Sequence, residues 1–207
     1  MFTKHSSLPK IRIFLHKCKM MSKFGFNNFS MTIEQLREKI RVIEDFPKKG
    51  IHFQDITTLM LDPECLQELS NILYNKYKDR GITKVVGLEA RGFILGAILA
   101  YRLGAGFVPV RKKGKLPGPK LSESYELEYG QDTIEMHTGA ILENDTVLIH
   151  DDLLATGGTL AAAVRLVKQC KPKEILLNSI IDLTACPRIA DFPAELELDT
   201  LIKVDID

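Results

Sequence analysis

Four short apolar runs, at 84–88, 106–110, 146–149 and 175–181, constrain this chain more than any other feature. A strand that is apolar along its whole length has both faces covered. Segments 92–103 and 159–170, rich in Ala and Leu, read as helices between those runs. Parallel strands joined by covering helices are the expected result, an α/β fold with a mostly parallel central sheet flanked by helices. Right-handed crossovers put the carboxyl ends of such strands along one rim, where α/β folds bind ligands. The residues after Leu88, Val110 and Ile149 all fall there.

Upstream, Leu36, Ile40, Val42, Ile43 and Phe46 recur at roughly helical spacing, which predicts a helix over 34–46 stopped by Pro47 and Gly50. Asp62 and Pro63 then read as the N-cap and first position of a second helix, running to about Gly81. One stretch breaks the βα alternation. Gly114, Pro117, Gly118, Pro119 and Gly130 punctuate 113–132, too long for an idle loop. Its second half alternates, with Leu121, Tyr125, Leu127 and Tyr129 on one face and Ser122, Ser124, Glu126 and Glu128 on the other. With Ile134 and Met136 it predicts a mobile two-stranded hairpin lid, since an isolated hairpin is only marginally stable.

The chemistry concentrates in VLIHDDLLATGGT, residues 147–159. Gly157 and Gly158 let backbone N–H groups approach a ligand, Thr156 and Thr159 add hydroxyls, and a helix begins at the end. Ala155, Thr156, Gly157, Gly158 and Thr159 therefore suit a phosphate, although the same residues also make an ordinary glycine turn with a Thr cap. Neither GxxxxGK[ST] nor GxGxxG is present. Asp151 and Asp152 narrow the choice, because two acids at a strand end need partners. Carboxylates accept hydrogen bonds from a sugar diol or from metal-bound water. A diol beside a phosphate describes a phosphorylated ribose.

Composition excludes several alternatives. Cys18, Cys65, Cys170 and Cys186 are scattered without CxxC spacing and read as free thiols of a reducing, cytoplasmic compartment. The five His show no metal or triad spacing, and His150 reads as a strand residue. No apolar run reaches the roughly 18 residues of a membrane span. Six of the 28 Lys/Arg and none of the 27 Asp/Glu lie in residues 1–33, leaving the rest at −5. A mildly acidic body argues against nucleic acid. The basic leader, 1–33, reads either as an organelle-targeting segment or as a disordered extension before a single domain at 34–207.

The apolar strand, two acids and TGGT loop resemble the signature of the type I phosphoribosyltransferases, which bind 5-phosphoribosyl-1-pyrophosphate (PRPP). Segments 89–93 (EARGF), 111–118 (RKKGKLPG), 125–130 (YELEYG) and 45–56 are similar to the adenine-specific members of that family, in their order and spacing, over roughly 34–183. The resemblance implies a type I phosphoribosyltransferase fold with a small N-terminal base-binding hood, a homodimer, Mg²⁺ held mainly by substrate and water, and conversion of adenine and PRPP into AMP and pyrophosphate. It implies that Glu89, Ala90 and Arg91, with a cis bond at Glu89–Ala90, line a pyrophosphate site with Arg111 and Lys115. Lys112 and Lys113 read equally as contacts or as solvated charges. Phe53 is implied to stack on adenine, or is plain core, while main-chain groups at 52 and 54 read the base edge. Some relatives carry Arg at Gln54. Glu128 is implied as general acid/base, with Glu123 and Glu126 as competitors, and Tyr125 and Tyr129 belong to the lid. Another purine as substrate, or a PRPP-sensing regulator, are the alternatives; a regulator needs a DNA-binding module for which 1–33 is too short.

Overall fold

The computed structural model describes residues 31–127 and 130–205. Helix α1 (Ile33–Glu38) begins at a capping box. Thr32 accepts from the backbone N–H of Gln35, and the Gln35 side chain accepts from that of Thr32. The helix expected over 34–46 ends there. Arg41–Ile43 instead forms β1, antiparallel to β2 (Phe53–Asp55), with Val42 opposite Gln54 and Ile43 opposite Phe53. Val42 and Ile43 are β-branched and suit a strand, and the apolar spacing of 36–46 is loose enough to accommodate either period.

Helix α2 (Thr57–Leu61) leads into α3 (Pro63–Tyr77), which is capped as expected: the Asp62 side chain accepts from the N–H groups of Glu64 and Cys65. The alternation then runs β3 (Lys84–Leu88), α4 (Gly92–Leu103) and β4 (Gly106–Lys112). After the hairpin β5 (Lys120–Leu127) and β6 (Gly130–His137) come β7 (Thr146–Leu154), α5 (Gly158–Lys168), β8 (Glu174–Leu183) and β9 (Leu198–Val204). The large sheet has the order β5-β6-β4-β3-β7-β8-β9, and its five strands from β4 to β9 are parallel.

Strand alternation supplies two cores. Val85, Leu148, Leu176 and Ile180 face α1, α3 and α4, while Val86, Val147, Ile149 and Leu177 face α5 and the lid hairpin. Burial on both faces accounts for the continuous apolar runs. Two expectations need correction. The hairpin is not isolated, because β6 also pairs with β4 at Arg111–Glu135 and Lys112–Ile134. Nor does β7 stop at Ile149: pairing with β8 continues through Asp151–Ser179 to Leu154–Asp182, so both acids lie within the strand.

Candidate active site

Two adjoining cavities open along the rim, of about 470 and 330 Å³, sharing Tyr125, Asp151, Leu153 and Thr159. The larger is built on the turn after β7. Gly157 takes φ +85° as the N-cap of α5, and Ala155, Thr156, Gly158 and Thr159 line the same wall. The expected phosphate loop is thus a concave turn at a helix start. Tyr125 of the lid closes over it. Its ring lies 3.5 Å from where a Gly158 Cβ would stand, and its hydroxyl accepts from Thr159 Oγ1 at 3.2 Å.

Asp151 and Asp152 form the floor between the cavities. Asp151 borders both, and Asp152 borders the smaller one and is 5 % exposed. Burial, then the neighbouring Asp152 charge, holds the Asp151 carboxyl well above the usual range. Burial also raises Asp152, against the opposing charge of Arg91. Arg91 Nε lies 2.6 Å from Asp152 Oδ2 without hydrogen-bond alignment, and that oxygen has no hydrogen-bond partner among the described residues. Helix α4 comes close because its first residue is glycine: a Cβ on Gly92 would stand 3.0 Å from His150 O and 3.2 Å from Asp151 Oδ1.

Arg91 and Lys112 line the smaller cavity, whereas Arg111 and Lys115 are not among its lining residues and reach its wall only through Glu89. That wall is the β3–α4 turn, where the Glu89–Ala90 peptide is cis, as the resemblance implied. The Glu89 carboxylate does not face an anion; it gathers the cations. Lys115 Nζ donates to it at 2.8 Å, Arg111 at 3.1 Å and the Lys112 N–H at 2.9 Å. Burial acts to raise the Glu89 pKa, but these donors outweigh it and bring it down to about 2. Lys112, left open from sequence, lines this cavity, and its Nζ pairs with Asp132, also in the lining, at 3.1 Å. Its pKa rises through that hydrogen bond and the Asp132 charge.

Arg91 links the acids to the hood. Its guanidinium sits 5.5 Å from the centroid of the Phe53 ring, which also meets Phe46 edge-on at 5.3 Å. Gln54 departs from the expected grouping. Its side chain is buried, donates to His52 O at 3.2 Å and lines a separate cavity with Arg37, Val42 and Val204. Adjacent strand residues point to opposite faces, so Gln54 shares with Phe53 only the main chain. Of the lid acids, Glu126 lines the larger cavity, whereas Glu123 is held by Arg165 at 2.7 Å and by Gln169, facing α5. Glu128 and Tyr129 lie outside the described residues, as does the leader up to residue 30.

The phosphoribosyl transferase domain model matches residues 57–192. An adenine phosphoribosyltransferase of Bacteroides thetaiotaomicron is 56 % identical over 174 residues, covering 84 % of this chain and 99 % of that protein. The chain belongs to the adenine phosphoribosyltransferases. A solved adenine phosphoribosyltransferase from Rhodothermus marinus superposes with a TM-score of 0.77 at 49 % identity, over 83 % of this chain and 98 % of that one. The Saccharomyces cerevisiae structure, complexed with an imino-altritol bisphosphate and adenine, gives 0.75 at 37 %, over 82 % and 97 %. The architecture is the type I phosphoribosyltransferase fold. The 155–159 turn and Asp151 border the larger cavity, Asp151, Asp152, Arg91 and Lys112 the adjoining one, and Phe53 lies against Arg91.

Sequence reasoning missed β8 and the segment after it. Ser179 of β8 and Ile189 beyond it line the larger cavity, and Arg188 donates to Ala155 O behind the turn. The available signal was topological, since β8 is a parallel neighbour of β7 and its carboxyl end falls on the same rim.

Proposed function

We propose that this enzyme transfers the phosphoribosyl group of PRPP to adenine, releasing pyrophosphate and forming AMP, with the roles below. The supporting observation is the pair of adjoining cavities that share Asp151: one is lined by the turn at 155–159, the other by Asp152, Arg91, Lys112 and Glu89, the last of which holds Arg111 and Lys115. A phosphorylated ribose with a pyrophosphate at C1 presents its charges in that order. The C1–O bond to pyrophosphate breaks as adenine N9 bonds to C1, through an oxocarbenium-like state. Positive charge at C1 relieves the cost of holding two carboxyls together, so the acids favour the transition state over the ground state. Arg111 and Lys115 bind the departing pyrophosphate. Glu128 exchanges the proton of the base, and lid closure with Tyr125 and Tyr129 excludes water.

Adenine stacks on Phe53 while main-chain groups at 52 and 54 read its edge; Gln54 holds that strand from the other face. Hypoxanthine reverses the donor–acceptor pattern and leaves buried groups unpaired. Asp151 and Asp152 are hard oxygen donors and would accept from the water ligands of a Mg²⁺ held mainly by substrate and water; when bound, the ion would offset the charge of the pyrophosphate. The enzyme acts as a homodimer in the cytoplasm, a location that the free Cys65, Cys170 and Cys186 favour. Residues 34–207 form the catalytic domain behind a basic leader.

Steady-state assays of nucleotide formation from PRPP with adenine, hypoxanthine and guanine test the reading. AMP from adenine, with kcat/KM about 10⁴ above hypoxanthine, is expected; a faster reaction with hypoxanthine, or none with adenine, overturns it. Sedimentation equilibrium tests the dimer, and localisation of a fusion with and without residues 1–30 tests the compartment.

A further inference from the structure

The phosphate turn is fastened from behind by residues that no part of the reaction above uses. The Arg188 guanidinium donates to Ala155 O and, from its other nitrogen, to the buried Asp182 carboxylate at the end of β8. The Ile189 N–H donates to Thr156 O at 3.0 Å, and Gly157 O accepts from Ala161 N–H at 2.9 Å. Phe192 closes the outer side, its ring 2.5 Å from where a Gly157 Cβ would stand. All three carbonyls of 155–157 are therefore committed outward or along α5.

In a trans peptide the C=O and the following N–H point in opposite directions. Fixing the carbonyls of 155, 156 and 157 therefore aims the N–H groups of Thr156, Gly157 and Gly158 into the cavity. None of those N–H groups has a hydrogen-bond partner among the described residues. An array of preoriented N–H groups binds an anion without the cost of turning each peptide on arrival.

We propose that Arg188 is a positioning residue for the 5-phosphate of the ribosyl substrate, acting through the Ala155 carbonyl with Ile189 and Phe192 as the rest of a clamp; this rests on the phosphoribosyl-transfer reading. Arg188 donates to two other carbonyls as well, Cys186 O at 3.3 Å and Leu183 O at 3.4 Å. The guanidinium thus ties the end of β8 and the start of its loop to the neighbouring turn.

Calorimetric titration of the full-length wild type and Arg188→Ala with ribose 5-phosphate, and separately with magnesium pyrophosphate, tests this. The expected result is a rise of about tenfold in Kd for ribose 5-phosphate, the scale of one charge-assisted hydrogen bond. The pyrophosphate Kd should stay within about twofold, as for an independent site. KM for PRPP should rise while KM for adenine holds, and added guanidinium chloride, against sodium chloride at equal ionic strength, should recover ribose 5-phosphate binding. An unchanged ribose 5-phosphate Kd, or an equal loss for both ligands, overturns the clamp. If Arg188→Ala does not fold, Phe192→Leu takes its place: a selective loss of ribose 5-phosphate binding supports the clamp, and an unchanged Kd or an equal loss for both ligands overturns it. Failure of the wild type to bind ribose 5-phosphate counts instead against the phosphoribosyl reading itself.

Discussion

At Gly157 two requirements coincide. Its φ of +85° is a conformation that L side chains rarely adopt, and the Phe192 ring occupies the place of a Cβ. Gly157→Ala should therefore cost about 2 kcal/mol by urea unfolding. Its KM for PRPP should rise about 10²-fold, as a misplaced anion cradle does; near-wild-type kinetics would show the turn tolerates displacement. Glu128 carries a different expectation. Loss of a general acid/base lowers kcat by about 10²–10⁴, so Glu128→Leu should reduce kcat far more than it raises KM for adenine. Wild-type turnover would remove it from the mechanism. That the 155–159 turn and the two acids border one site was readable in sequence because the signal is local: glycines, threonines and carboxylates within nine residues. Gln54 was not, because its side-chain direction depends on β2 pairing with β1, a segment whose spacing also suits a helix.

The lid shows the same limit for whole elements. Its alternation gave both strands, yet its attachments are non-local. Arg165 on α5 holds Glu123 of β5 at 2.7 Å and Asp191 of the loop after β8 at 2.5 Å. One helix thus fastens the lid and the loop that carries the phosphate clamp. An exposed ion pair contributes up to about 1 kcal/mol, so Arg165→Met, which keeps the apolar stem, should raise the open-lid population by up to about fivefold. Water then reaches PRPP more often, and the ratio of PRPP hydrolysed to AMP formed should rise by a similar factor. An unchanged ratio would mean that β6–β4 pairing alone holds the lid. Spacing also failed for the first helix, whose end is set by the β1–β2 pairing, although the Thr32–Gln35 capping box marks its start.

For the whole molecule, the parallel sheet was legible because strands buried on both faces must be apolar throughout. The edge strand β9 escaped, since Leu198–Val204 mixes Asp199, Thr200 and Lys203 among its apolar residues. Polar bonds cross that sheet in a rung. His150 of β7, fully buried, contacts Asn178 of β8 at 2.7 Å, and Asn178 Nδ2 donates to Asp199 O of β9 at 3.2 Å. Asn178 Oδ1 therefore accepts from His150 Nδ1–H, and Nε2 keeps a lone pair with no partner among the described residues. Burial pushes the His150 pKa down to about 4, against a partial lift from Asn178. The unfolded chain takes up this proton near the ordinary value of 6.5 and the folded chain only near 4, so the contribution is full above 6.5 and is lost between 6.5 and 4. That amounts to about 2 kcal/mol between pH 7 and pH 5. Asp151 and Asp152 act in the opposite sense, because a carboxyl raised by folding stabilises as pH falls. The net slope of the wild type therefore mixes the two. Comparison with His150→Gln isolates the histidine: urea unfolding at both pH values should show the wild type losing about 2 kcal/mol more than the variant. Equal losses would mean that His150 titrates in the folded chain as it does in the unfolded one, and a smaller loss in the wild type would mean that it is protonated in the folded chain.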